Sequence, residues 1–241
     1  MLKIIKIESL LFLRERGMVI FSVLFPTLLL LVLGAIPALR TPSPVFGGAR
    51  FIDSYLSSLI VITLALLGLN RLPTTMATYR EKGILRRLST TPMSPAKLLT
   101  AQLIISLAAA LLSILLLVVV GNLVFHIDLP HNPGALIVTV LLGAAALFAF
   151  GLVAAALAPT ARAAGGWAGV LFLVVMFFGG VYLPRYLLPG FLNRIGDYLP
   201  PGVQALQDAW LGTVPQLSHL AIMALIALLA GTVAAKSFRW E

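Results

Sequence analysis

Apolar residues run along this chain in long blocks broken by short polar intervals. Blocks of roughly 20 apolar residues are long enough to cross a bilayer as a helix. They fall at residues 18–36, 51–69, 98–125, 135–157, 167–183 and 217–235, which predicts six membrane spans. The block at 98–125 exceeds what a bilayer needs and is expected to tilt or to project beyond it. Pro26 predicts a kink in the first span. Gly143, Ala144, Ala145, Ala146, Ala149 and Gly151 give the fourth span small residues that permit close helix packing.

The polar intervals carry the remaining information. Residues 1–17 interleave Lys3, Lys6, Glu8, Arg14, Glu15 and Arg16 with leucine, isoleucine and phenylalanine. Charges so dispersed do not make a cleavable leader. They fit a basic amphipathic helix lying in the membrane interface, or a simple extension of the first span. Asp53, with Ser54, Ser57 and Ser58, sits near the outer end of the second span. An acid there is either functional or within reach of headgroup water. His126, Asp128 and His131 match no metal-ligand spacing, and Pro130 and Pro133 prevent a helix from aligning them, so a solvated loop is expected and no metal site is assigned. Residues 184–216 hold too many prolines for a straight span. The helical spacing of Phe191, Leu192, Ile195 and Leu199 predicts one short amphipathic helix, and a second is expected near Val203 to Trp210.

Composition agrees with a membrane protein. Hydrophobic residues make up 60% of the 241 and charged residues 10%, with a mean hydropathy of +1.06. A soluble domain carries charge nearer a quarter. The net charge of +9 invites a nucleic-acid partner, but its distribution argues against one. Six spans place both termini on one side. Of 17 basic residues, only Arg40, Arg50, Arg185 and Arg194 then fall outside, leaving 13 inside. That bias assigns both termini to the cytoplasm. The absence of cysteine excludes disulfides and thiol chemistry.

Residues 79–97 form the densest cluster of charge, with Arg80, Glu81, Lys82, Arg86, Arg87 and Lys97 between two apolar blocks. The chain lacks a phosphate-binding Gly-x-x-x-x-Gly-Lys-Ser/Thr loop, a Gly-x-Ser-x-Gly elbow and a His-Glu-x-x-His pair. Mid-span acids, which coupled secondary transporters use, are almost absent. A transporter of this kind needs an external motor, and the 79–97 segment is the largest cytoplasmic surface for one.

The string from Arg80 through Glu81, Gly83, Leu85, Leu88, Thr91 and Pro92 to Ser94 resembles the Glu-Arg/Lys-x-Gly-Thr-Leu-x-x-Leu-x-x-Thr-Pro signature of ABC-2-type exporter permeases. Drug and antibiotic exporters of high-GC Gram-positive bacteria are the nearest group. Ile84 stands where threonine is usual. The proline-rich stretch from Gly180 to Gly212 is also similar to that family. The resemblance spans the six-helix plan and implies an all-α polytopic fold in a single transmembrane domain over 1–241. It further implies re-entrant helices outside, between the fifth and sixth spans.

The resemblance also implies a mechanism. Two permease chains pair, as homodimer or heterodimer, and each docks a separate ABC ATPase. That partner binds ATP and Mg, so this chain is no enzyme and holds no cofactor. The loop after the second span forms a coupling helix. Gly83 permits a break before it. Ile84, Leu85 and Leu88 offer an apolar ridge, Arg80, Arg86 and Arg87 offer charge at its rim, and Thr91-Pro92 ends it. The implied pathway runs between protomers, with Thr63, Asn70, Phe177 and Phe178 as candidate lining residues. Tyr182, Leu183 and Pro184 are candidates for an outer gate. The expected function is export of a hydrophobic or amphiphilic drug, antibiotic or lipid-linked molecule across the cytoplasmic membrane, among membrane lipids and with no nucleic acid. Alternatives are a non-transporting sensor or immunity subunit that docks the same partner, and a secondary transporter.

Overall fold

Pro26 and Pro73 each lie inside a helix. A proline ring removes one backbone donor and collides with the carbonyl four residues earlier. The computed structural model of the chain, which describes residues 1–43, 48–89, 95–183 and 185–237, relieves both in the same way. The first span, Arg16–Gly34, widens into a π turn at Ile20–Leu24, two residues before Pro26. The second, Phe51–Glu81, does so at Leu66–Arg71, two residues before Pro73. A π turn moves the hydrogen bonds one residue further along, so the missing donor and the crowded carbonyl no longer face each other.

Six helices of the described residues are long and apolar enough to cross a bilayer. After the first two come Pro95–Phe125, Pro133–Leu157, Ala161–Phe178 and Leu217–Ser237. The protein is therefore an all-α, multi-pass membrane protein. The second span is its axis: 83% of its apolar window is enclosed, against 22% for the fifth and sixth. Leu56, Leu59, Ile60, Leu64 and Leu67 are fully buried along it. The fourth span packs against its π turn and along the sixth span.

Three predicted boundaries move. The second span continues as helix to Glu81 instead of ending at residue 69, because Leu72–Glu81 restarts directly after the π turn with Pro73 in its first turn, where no donor is needed. The fifth begins at Ala161, not residue 167. The Thr160 hydroxyl accepts the Ala163 N–H and caps a run of good helix formers, so the interval expected between residues 157 and 167 shrinks. It ends at Phe178, where Gly179 and the left-handed Gly180 stop it before residue 183.

The N-terminal helix Leu2–Arg14 turns Glu8 and Phe12 inward and leaves Leu2, Ile7, Leu10, Leu11 and Leu13 exposed. An apolar exposed face of that kind suits the interface of a membrane. Short helices form at Gly190–Tyr198 and Val203–Leu211, as the spacing predicts.

Candidate functional site

The basic end of the bundle gathers the N-terminal helix, the end of the second span and the turn between the fourth and fifth. The second span stops in two hydrogen bonds, Lys82 N–H to the Thr78 carbonyl and Gly83 N–H to the Arg80 carbonyl. Gly83 takes φ +64°, the left-handed conformation that closes a helix and that glycine adopts without steric cost. The chain then restarts as the short helix Ile84–Ser89, with Arg87 N–H bonding back to the Gly83 carbonyl.

The side chains of this short helix divide unequally. Leu85 is buried at 1% exposure in the chain's own core, so the expected outward ridge of Ile84, Leu85 and Leu88 loses its middle member. Ile84 is half-buried, and Arg86 and Arg87 are exposed. The Leu88 side chain, Thr91 and Pro92 lie outside the described residues, as does Pro184 of the expected outer gate.

Arg80, expected at the rim of a partner's groove, and Glu81 beside it are both engaged within the chain. The Arg80 guanidinium donates to the carbonyls of Ala155 (3.0 Å), Ala156 (3.3 Å) and Ala158, where the fourth span ends. The Glu81 carboxylate accepts the Ala161 N–H at 2.6 Å, where the fifth begins. The negative end of one helix dipole meets the cation, and the positive end of the next meets the acid. Adjacent residues of opposite charge thus clamp the platform of the short helix onto the turn between the fourth and fifth spans.

A second cluster ties in the N-terminal helix. The Glu8 carboxylate accepts the Tyr79 hydroxyl at 2.8 Å and the Gln102 amide at 2.5 Å. Gln102 in turn accepts Arg71 at 3.1 Å, and Arg71 also donates to the Ser106 hydroxyl at 2.9 Å. The Phe12 ring lies over the guanidinium at 4.4 Å, a cation–π contact that partly replaces lost hydration. Arg71 is 3% exposed. Sequence reasoning counted it simply as a cytoplasmic charge. Its partners lie about thirty residues away, and no local pattern announces them.

The candidate pathway residues are not gathered into one place. Thr63 is fully buried and its hydroxyl donates to the Leu59 carbonyl. Phe177 and Phe178 are half-buried and meet edge to face at 5.2 Å. Gly179 packs against Val61, so the exposed Asn70 stands roughly 13 Å further along the second span at 1.5 Å per residue. Tyr182 is exposed and Leu183 half-buried at the opposite end.

At that end Asp53 is an anchor. Arg50 donates to both its oxygens at 2.8 Å and also to the carbonyls of Phe125 and His126, which end the third span. The hydrogen bond to Asp53 raises the Arg50 pKa above its ordinary value, against desolvation. Arg185 pairs with Asp197, and Asn193 donates to the Arg185 carbonyl, fixing the helix Gly190–Tyr198. No metal-holding cluster occurs among the described residues.

Six membrane-length helices among the described residues, with a short helix following the second, define a multi-pass membrane protein. A family model described as ABC-2 family transporter protein matches residues 40–236, and the chain belongs to that family. It is a transmembrane subunit of an ABC transporter, of a kind that works with an ABC ATPase. Among curated proteins, none matches the chain.

Proposed function

We propose that this chain is the permease of an ATP-driven exporter, and that a separate ATPase grips the helix Ile84–Ser89. What carries the proposal is the clamp of Arg80 on the fourth span and Glu81 on the fifth. A force applied to the short helix passes through it to three spans at once, because the second span ends there. Arg86 and Arg87, exposed just beyond the clamp, supply charge-assisted contacts to an acidic rim. ATP and Mg belong to the partner. Two permeases pair, both termini face the cytoplasm, and the substrate is a hydrophobic or amphiphilic molecule that passes between protomers. Asn70, Phe177 and Phe178 contact it, and Tyr182 and Leu183 flank the outer exit.

Reversing Arg86 and Arg87 to Glu is expected to abolish co-purification of the ATPase and ATP-dependent accumulation of labelled substrate in vesicles. The thermal midpoint should stay within a few degrees of wild type, because exposed substitutions usually change stability little. Retained transport with the reversed charges refutes the docking assignment.

A further inference from the structure

Next to the Arg80 clamp, the basic end contains a cavity of ≈ 580 Å³. It lies between the end of the fourth span (Ala156 to Pro159), Arg80, and Lys236 and Ser237 of the sixth. Among the described residues, its walls carry two cations and a hydroxyl and no carboxylate. Arg80 is held in place by the carbonyls of the fourth span, which makes it a fixed charge. Lys236 is exposed and forms no ion pair among the described residues.

Leu157 lines this cavity and also a second, apolar groove of ≈ 360 Å³ between the fourth and fifth spans. Phe150, Val153, Val170, Leu171 and the half-exposed Trp167 line the groove. Tryptophan favours the level where headgroups meet acyl chains. A fixed arginine, an exposed lysine, an interfacial tryptophan and a hydrocarbon groove therefore meet around Leu157 at the end of the fourth span.

We infer that this is a binding site for an anionic phospholipid. Its phosphate sits between Arg80 and Lys236, and one acyl chain lies in the groove beside Trp167. Basic pockets between spans at the cytoplasmic face suit such headgroups, and each Lys or Arg near the surface strengthens anionic-lipid attraction about fivefold. The site shares Arg80 with the clamp but needs no ATPase, so it is tested without one.

Quenching of Trp167 by brominated acyl chains tests it in the full-length protein. Brominated phosphatidylglycerol should quench at about a tenfold lower mole fraction than brominated phosphatidylcholine. Trp167→Phe should remove that selective component. Lys236→Gln should cut the preference about fivefold and Lys236→Arg should keep it. The side chain is exposed, so these variants should fold even if Arg80→Gln, which uncaps the fourth span, does not. Glycerol phosphate at millimolar concentration should leave the preference intact. Equal quenching by the two lipids, an unchanged preference in Lys236→Gln, survival of the selective component in Trp167→Phe, or loss of the preference to glycerol phosphate each overturns the assignment.

Discussion

A buried arginine in a membrane span is tolerated only where its charge is met. Around Arg71 it is met by a relay: Ser106 and Gln102 accept its protons, Gln102 passes its own to Glu8, and Glu8 also holds Tyr79. Removing the acid strands two donors at once, which costs more than losing one bond. Glu8→Gln keeps an acceptor for Tyr79 and Gln102 and should cost about 1 kcal/mol. Glu8→Leu leaves both without one and should cost about 3 kcal/mol. Thermal unfolding in detergent should rank wild type above Gln above Leu. Equal midpoints for the two variants show that the relay does not hold the N-terminal helix.

The elements show what a single sequence discloses. Apolar blocks locate six spans because a bilayer fixes their length, and Gly83 announces a break because few other residues take a left-handed turn. The exits from the spans were less legible. Arg80 meets its acceptors 75 to 78 residues away, and Glu81 meets Ala161 80 residues away, so both read locally as loop charge. Leu85 reads as part of an outward ridge until the third dimension turns it into the core.

The turn at Gly83 has a direct test. A Cβ there meets no atom within 4 Å, so only the backbone conformation opposes substitution. Gly83→Ala should cost about 1–2 kcal/mol, and Gly83→Asn less, since asparagine visits the left-handed region. ATP-dependent transport should fall in the order Gly, Asn, Ala. A β-branched Gly83→Val that transports as well as wild type removes the turn from the coupling route.

Across the whole molecule the second and fourth spans cross at glycines. A Cβ on Gly151 would lie 2.0 Å from the Gly68 carbonyl oxygen, closer than any side chain allows. The spans must separate to admit even a methyl group, and overpacking of that kind costs about 1–3 kcal/mol. Gly151→Ala should therefore lower the unfolding midpoint. Gly166→Ala and Gly231→Ala, with open space at the Cβ and helical backbones, should raise it or leave it unchanged. The same midpoint shift in all three means that the crossing is looser than described. Small residues in the fourth span predicted close packing, but not which partner span they approach, because two glycines 83 residues apart in sequence (151 − 68) share no local pattern.

The central claim is that the helix Ile84–Ser89 receives an ATPase. The chain contains no cysteine, so single cysteines can be introduced into an otherwise unreactive background. With an ATPase subunit co-expressed in membrane vesicles, a short thiol–amine cross-linker on Arg87→Cys should capture that subunit, and the yield should change on adding ATP. The same reagent on Tyr182→Cys, at the opposite end, should capture none. Capture from position 182, or none from position 87 while ATP-dependent transport persists, contradicts the account.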